Sequence, residues 1–419
     1  MTDPLPAAKG RNLTMILLIV VYMLNFLDRQ ILSILKEPIA AELHLNDAQT
    51  GWLGGLPFAL FFSVLALPAA WLADRGSRVW LMTVALAVWS AFTAACGLSA
   101  GFGQLFLARM GVGVGEAGGV PPAYALIADL YPPHSRARAI SVYTLGIPLG
   151  SAAGILFGGL MAAHVNWRYA FLVIGLVGLV VAPLFRLLVR DPPRGQYDAP
   201  VQGAAPGLLA TARLVCAKPA FWLMALGAAA ASMVGYGFLY WFPTFLARSL
   251  NMDITSRSIL FSMAFLISGL IGIPLGGWLA DRLGQARKGA YPLIPACALL
   301  VSAPLYGLAV MAHTPLQAFL LVLIPQALGL VWLAPLLTAV QHLVPVNGRS
   351  QASALFLLVN NLIGLSLGPY FFGKVSDLLK PMYGEDSIKW AFVIGLGFYL
   401  LAALLLFGAS RTLKKAWVD

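Results

Sequence analysis

Twelve apolar stretches, each long enough to cross a bilayer, follow one another through this chain. A spanning helix needs about 20 mostly apolar residues. Residues 13–34, 49–73, 79–99, 103–130, 137–163, 168–189, 219–247, 257–280, 289–312, 315–343, 350–376 and 389–410 each supply them, and they are called spans 1 to 12 here. In lipid each backbone N–H and C=O must be satisfied inside its own segment, so these stretches fold as helices. The expected fold is all-α, a polytopic membrane protein of twelve helices in two six-helix bundles. The composition agrees: 60% of the 419 residues are hydrophobic and 10% charged, against about 45–50% and 25% in soluble domains. That balance excludes a soluble enzyme, a disordered chain and a disulfide scaffold. Cys96, Cys216 and Cys297 lie far apart, and the five histidines show no metal-ligand spacing, so neither a metal nor a cofactor is expected. Residues 1–12 are polar and lead into a full-length span, which is expected to be retained.

The polar stretch 190–218, with Asp191-Pro-Pro-Arg194 and Gly207, divides the chain into an N-terminal bundle, 1–189, and a C-terminal bundle, 219–419. The net charge of +11 would suggest nucleic acid in a soluble protein. Here the basic residues sit in loops. With a cytoplasmic N-terminus, eighteen lie on the cytoplasmic side and seven opposite, leaving Arg29 and Arg109 inside spans. That bias places both termini and the central loop in the cytoplasm, for a bacterial inner-membrane protein that binds no nucleic acid and works as a monomer.

The two halves repeat. Span 2 ends Ala70-Trp-Leu-Ala-Asp-Arg75 and span 8 ends Gly277-Trp-Leu-Ala-Asp-Arg282, an offset of 207. Gln104, Pro122, Pro132 and Arg136 match Gln317, Pro335, Pro345 and Arg349 at 213, and Arg168-Tyr-Ala-Phe171 resembles Lys389-Trp-Ala-Phe392 at 221. Ordered matches with a slowly growing offset indicate internal duplication. Two parallel repeats suit alternating access, with a substrate site near the midplane at the repeat interface.

The Asp74-Arg75-Gly-Ser-Arg78 segment resembles the loop 2–3 signature of the major facilitator superfamily, and Asp281-Arg282 its second-half copy. Asn25-Phe-Leu-Asp-Arg29, Gly113-Val-Gly-Glu-Ala117 and Ile127-Ala-Asp-Leu130, running into the Arg136/Arg138 loop, are similar to the Spinster family of lipid transporters. The resemblance implies that spans 1, 4, 7 and 10 line the cavity, and that the span 1 Asp and the span 4 Arg and Glu are functional. One stretch departs from it. Where the family carries small hydroxylated residues after Glu116, this chain has Ala117-Gly-Gly-Val-Pro-Pro122.

Asp28, Arg29, Arg109 and Glu116 fall within spans. A charge at the bilayer midplane costs about 2.5–3.5 kcal/mol on insertion scales, so these should face the bundle interior and pair. Arg109 and Glu116 are seven residues apart on one face of span 4, roughly 10 Å along the axis, and Asp28 is the expected partner between them. Two readings stand: a structural ion-pair cluster, or a proton-coupling unit of Asp28, Glu116 and Arg109. Arg29 points either to this unit or to a helix interface. Spans 7, 8 and 10 have uncharged interiors and offer Tyr236, Tyr240 and Gln326, with Asn360 and Asn361 on span 11. Together with Asn25, Arg29, Arg109 and Tyr124 these are the candidate substrate-binding residues. A charged wall facing an apolar one suits an amphipath such as a lysophospholipid or sphingolipid-like molecule, with its head at Arg109. The alternative is a small organic anion or a drug.

Asp74, Arg75, Arg78, Arg136, Asp281 and Arg282 are candidate gating residues. The two aspartates end spans 2 and 8, where each is expected to meet the N-terminus of a span of the other half. The glycines of span 5 (Gly150, Gly154, Gly158) and span 8 (Gly269, Gly272, Gly276) form small-residue faces that are expected to pack on each other. An intramembrane enzyme would need a nucleophile–base or metal pair on facing helices. No HExxH is present and no histidine falls in the bundle core beside a carboxylate, so the expected function is proton-coupled secondary active transport.

Overall fold

The computed structural model describes residues 8–194, 197, 208–284, 287–345 and 348–418. Among them there is no β-strand. Ten helical stretches are long and apolar enough to cross a membrane. One of these, Arg349–Ala416, is 68 residues long and contains spans 11 and 12. Span 4 is a further crossing, broken into Phe102–Glu116 and Val120–Leu130. Twelve transmembrane helices result. Of the linker, residues 195–196 and 198–206 lie outside the described set, as does Gly207.

Short polar caps set where the helices start. Asn46 and Gln49 form a capping box before Asp47–Gly54, with Gln49 N–H to Asn46 Oδ1 at 2.8 Å and Asn46 N–H to Gln49 Oε1 at 3.0 Å. Ser77, Asn166, Asp253 and Thr314 cap later spans through their side chains, satisfying N–H groups that the helix cannot. At Asp253 the hydroxyl and backbone N–H of Ser256 hold the carboxyl below its ordinary value.

Prolines interrupt the helices at matched places. Pro121 and Pro122 have no N–H for the carbonyls of Ala117 and Gly118, and span 4 opens at 117–119. Pro335 does the same to Val331, and span 10 opens at 329–332. An interior proline removes the i→i−4 bond and clashes with its carbonyl. The breaks lie 213 residues apart, as the sequence repeat does. Span 8, by contrast, runs unbroken through Pro274 from Ile254 to Leu279.

The chain forms two compact units, residues 1–39 with 60–202 and residues 40–59 with 203–419. In the first unit the span 5 glycines lie against span 1. A Cβ on Gly154 would stand 2.5 Å from the Leu27 carbonyl oxygen, and one on Gly150 would strike the Met23 carbonyl. In the second unit Gly272 and Gly276 lie against Ala327 and Val331 of span 10. The expected pairing of span 5 with span 8 is therefore corrected: each glycine face is taken by a helix of its own unit. The core of the second unit is instead aromatic, with Phe238 at 4.3 Å from Tyr306 and 4.6 Å from Phe392 by ring centroids.

Residues 40–59 give the second unit its most polar contact. Asp47 is 4% exposed. It receives both guanidinium arms of Arg248 at 2.7 and 2.8 Å and the Ser376 hydroxyl at 2.8 Å. Asp377 accepts the backbone N–H groups of Asp47 and Ala48 at 3.2 and 2.8 Å, a carboxylate at a helix N-terminus where the dipole favours it. The Tyr240 hydroxyl donates to the Thr50 carbonyl at 2.7 Å, and Trp52 stacks on Tyr370 at 4.1 Å.

Two outcomes are expected. Gly154→Val drives a side chain into the backbone of Leu27 and lowers stability by about 1–3 kcal/mol. Gly103→Val meets nothing within 4 Å and leaves it unchanged; thermal unfolding in detergent compares them. Arg248→Ala strands a buried carboxylate, costs about 3 kcal/mol, and raises hydrogen exchange in residues 44–58. Arg248→Lys, which keeps the charge without the fork, falls between.

Candidate functional site

The four intramembrane charges of the first unit come together as two pairs. Arg29 Nε donates to Glu116 Oε2 at 2.7 Å. Arg109 Nη1 lies 3.7 Å from Asp28 Oδ1, and the Thr93 hydroxyl donates to Asp28 Oδ2 at 2.5 Å. Asp28, Arg109 and Glu116 are buried, at 1%, 2% and 0% exposed. Two carboxylates and two guanidiniums cancel, so the cluster enters the membrane as a neutral body.

The partners differ from those expected. Asp28 was the expected bridge between Arg109 and Glu116. Glu116 instead takes Arg29, the residue whose direction the sequence left open. The reason is placement along span 1: Asp28 and Arg29 are consecutive, so on a helix they point about 100° apart and address different neighbours. Arg29 is held from its other faces by Phe62 at 4.5 Å and Phe26 at 5.0 Å, ring centroid to guanidinium carbon. Such cation–π contacts favour a guanidinium in a desolvated place. Its side chain keeps 16% exposure against 2% for Arg109, so Arg29 is the more accessible cation.

Glu116 is the last residue of the helix Phe102–Glu116, immediately before the break at 117–119. The residues that depart from the Spinster pattern thus form the break itself. Glu116 Oε1 and Asn25 Oδ1 are buried and accept no hydrogen bond among the described residues. Both can take a donor from water or from a ligand. Tyr124 belongs to an aromatic group in which Tyr143 stacks on Tyr22 at 4.3 Å and meets Tyr124 edge-on at 5.6 Å.

The second unit carries the other candidates. Gln326 is buried and accepts the Tyr306 hydroxyl at 2.9 Å. The Ser232 hydroxyl donates to Asn360 at 2.8 Å, and the Asn360 amide donates to Asn361 at 3.2 Å. Asn361 opens a π-turn, Asn361–Leu365, a helix irregularity frequent at functional positions. Tyr240 is engaged with Thr50, as described above, and Tyr236 is half-buried.

Of the candidate gating residues, Arg78 is 4% exposed. It pairs with Asp129, donates to the Ala125 carbonyl at 3.0 Å, and lies 3.7 Å from Asp191. Ser77 bonds Asp191 as well, and Arg194 donates to the Gly76 carbonyl at 2.6 Å. The loop after span 2, the end of span 4 and the start of the linker are thereby tied inside the first unit. Arg136 donates to the Ala128 carbonyl at 2.8 Å, Arg75 lies over Trp71 at 4.3 Å, and Arg282 over Trp278 at 5.4 Å. Asp281 is the second residue of the π-turn that ends span 8, Ala280–Gly284. Asp74 sits in the helix Leu56–Arg75, and its side chain lies outside the described set.

Sequence reasoning missed Thr93, Asp47, Arg248 and Asp377. Thr93 carries no local signal, since a hydroxyl in an apolar helix ordinarily bonds its own i−4 carbonyl. Here it does so too, with Trp89 O at 2.9 Å. Asp47 was signalled only as part of a cap.

Comparison with known proteins agrees with this architecture. The Major Facilitator Superfamily profile matches residues 18–369. An MFS-type efflux pump of Mycolicibacterium smegmatis is 35% identical over 92% of this chain and 88% of its own length. Human protein spinster homolog 1 is 30% identical over 88% of this chain and 74% of its own. The crystal structure of a bacterial homolog to the human lysosomal transporter Spinster, inward-facing and unoccupied, superposes with a TM-score of 0.89. It is 30% identical and covers 99% of this chain and 100% of that one. The chain is therefore a membrane transporter, not an enzyme, and belongs to the Major Facilitator Superfamily on its Spinster-like branch.

Proposed function

We propose that this transporter couples proton movement to the passage of an amphipathic lipid with an anionic head, such as a lysophospholipid or sphingolipid-like molecule. The observation that carries the reading is the buried, internally neutral cluster of Asp28, Arg109, Arg29 and Glu116. An ion-pair cluster used only for packing is replaceable by apolar residues at no penalty, whereas a switch needs groups that can exchange partners. With both carboxylates ionised, each arginine is neutralised. Protonating Glu116 releases Arg29, the more accessible cation, to an anionic head group. Proton and head group then share one partner, and their binding is linked through it. Asp28, fixed by Thr93 and Arg109, keeps the second pair in register.

Charge on the membrane-buried face of one repeat only suits a molecule with one polar end. The position matching Glu116 at the 213 offset is Gly329, and that matching Arg109 is Val322. A proton-coupled carrier of organic anions or drugs is the second reading, favoured by the 35% identical efflux pump. The protein is read as a monomer in the bacterial inner membrane with both termini cytoplasmic, on the strength of the basic-loop bias. Asp74, Arg75, Asp281 and Arg282 are read as gating residues.

Uptake into proteoliposomes under an imposed pH gradient, over a panel of lysolipids and organic anions, tests the reading. Lysolipid flux that follows the gradient is expected. Glu116→Gln imitates the protonated form, so it binds lysolipid and loses gradient-driven flux. Arg29→Ala loses a charge-assisted contact worth about 1.5–3 kcal/mol, or about ten- to a hundred-fold in affinity. If Glu116→Gln transports at the wild-type rate with the wild-type pH dependence, the coupling proposal is wrong and the cluster is structural. Flux of the anions alone selects the second reading.

A further inference from the structure

The second unit has a groove that the transport reading does not use. It holds about 390 Å³ and lies among span 8, span 9 and span 10, with Leu279, Leu283, Leu293, Cys297, Val301 and Leu328 in its walls. Leu283, Leu293, Cys297 and Val301 are exposed although their helices cross the membrane, so this surface faces hydrocarbon. From Ala290 to Val301 the groove follows twelve residues of span 9, about 16 Å for the rises of 1.5 Å between them. That is about half of a 30 Å hydrocarbon core. Its length and its apolar walls match one acyl chain entering from the membrane surface.

The surface end of the groove is basic. Leu283 and Ala290 bound it there, and between and beside them stand Arg282, Arg287 and Lys288, with Asp281 as the one acid. Arg282 and Arg287 are exposed. Lys288 lies over the Trp417 ring at 5.0 Å, and Trp417 stacks on Tyr291 at 5.5 Å. This is an amphipathic ring pair at the level where head groups lie. The matched loop of the first unit is built differently. There Arg78 is drawn into the protein by Asp129 and Asp191. At the 207 offset Arg78 matches Gln285, while Arg287 and Lys288 stand where the first copy has Trp80 and Leu81, so the duplicated loop lacks the inward-drawn cation and carries its basic residues further along.

We infer that this groove is a binding site for one anionic membrane phospholipid, with an acyl chain between spans 8, 9 and 10 and its phosphate at Arg282, Arg287 and Lys288. Anionic lipid is chosen over zwitterionic because the mouth carries a surplus of two positive charges, each basic residue near a membrane surface giving about a five-fold preference. The site is separate from the charged cluster of the first unit and holds a resident lipid rather than cargo.

Native mass spectrometry of the detergent-solubilised chain, titrated with phosphatidylglycerol or with phosphatidylcholine of the same acyl chains, tests this. Wild type is expected to hold one phosphatidylglycerol at least ten-fold more tightly than phosphatidylcholine. Arg282→Gln with Lys288→Gln is expected to weaken phosphatidylglycerol about twenty-fold and leave phosphatidylcholine unchanged. Cys297→Phe, which fills the groove without touching its charge, is expected to weaken both lipids. Equal affinities in wild type, or phosphatidylglycerol binding that neither variant alters, overturn the site. Arg29→Ala, which weakens a lipid head held in the charged cluster, should leave the adduct intact. If it removes the adduct, the lipid sits in the transport cluster and the groove proposal fails, whatever becomes of the proton coupling.

Discussion

A charged side chain in hydrocarbon must be neutralised by a neighbour or pulled to water, and four such side chains in the first unit leave little freedom in how their helices pack. Asp28 and Arg29 come from span 1, Arg109 and Glu116 from span 4, and Thr93 from span 3. Pairing them two by two demands that these three helices meet at one depth and one rotation. The glycines of span 5 serve the same end from behind, since Gly150 and Gly154 let span 5 touch the backbone of span 1. Span 1 is thereby fixed on one side by charge and on the other by close contact.

Much of this was legible in the sequence. Hydropathy located all twelve spans, because the bilayer sets a length that the chain must meet. The 213 offset, read from Pro122 and Pro335 as a sign of duplication, recurs in the two helix breaks, which the sequence reading had not expected. The cost of buried charge brought Asp28, Arg109 and Glu116 into one cluster. The choice of partners was not legible, because it depends on rotations of a few tens of degrees between helices that sequence spacing does not encode. Arg29 is the clear instance. The contact of Asp47 with Arg248 and Asp377 was hidden for another reason. Those residues are separated by some 200 and 330 positions, and the only local sign was a capping box, which fixes a helix start and not what the start touches. The glycine faces of spans 5 and 8 show the same limit: a small-residue stripe announces a close neighbour without naming it.

The duplication is visible in backbone and lost in chemistry. Both copies keep the break in the fourth helix and the Trp-Leu-Ala-Asp-Arg ending of the second. Arg109 and Glu116 of the first copy are replaced in the second by Val322 and Gly329, and the polar groups of span 11 are amides, Asn360 and Asn361, that bond one another. In the second unit aromatic packing around Phe238 adds its cohesion to that of the Asp47–Arg248 pair.

Span 2 is shared between the two units, Asp47–Gly54 packing with the second and most of Leu56–Arg75 with the first. Between its two helices stands Gly55, where a Cβ would stand 2.9 Å from the Leu365 carbonyl oxygen and closer still to that of Ser366. This has a bearing on how the chain is made. A ribosome delivers residues 40–59 long before Arg248, Tyr240 and Asp377 exist to receive them. The second unit is therefore finished only with a piece synthesised at the start, and a chain beginning at residue 203 would bury Arg248 and Asp377 without the helix they were shaped to hold.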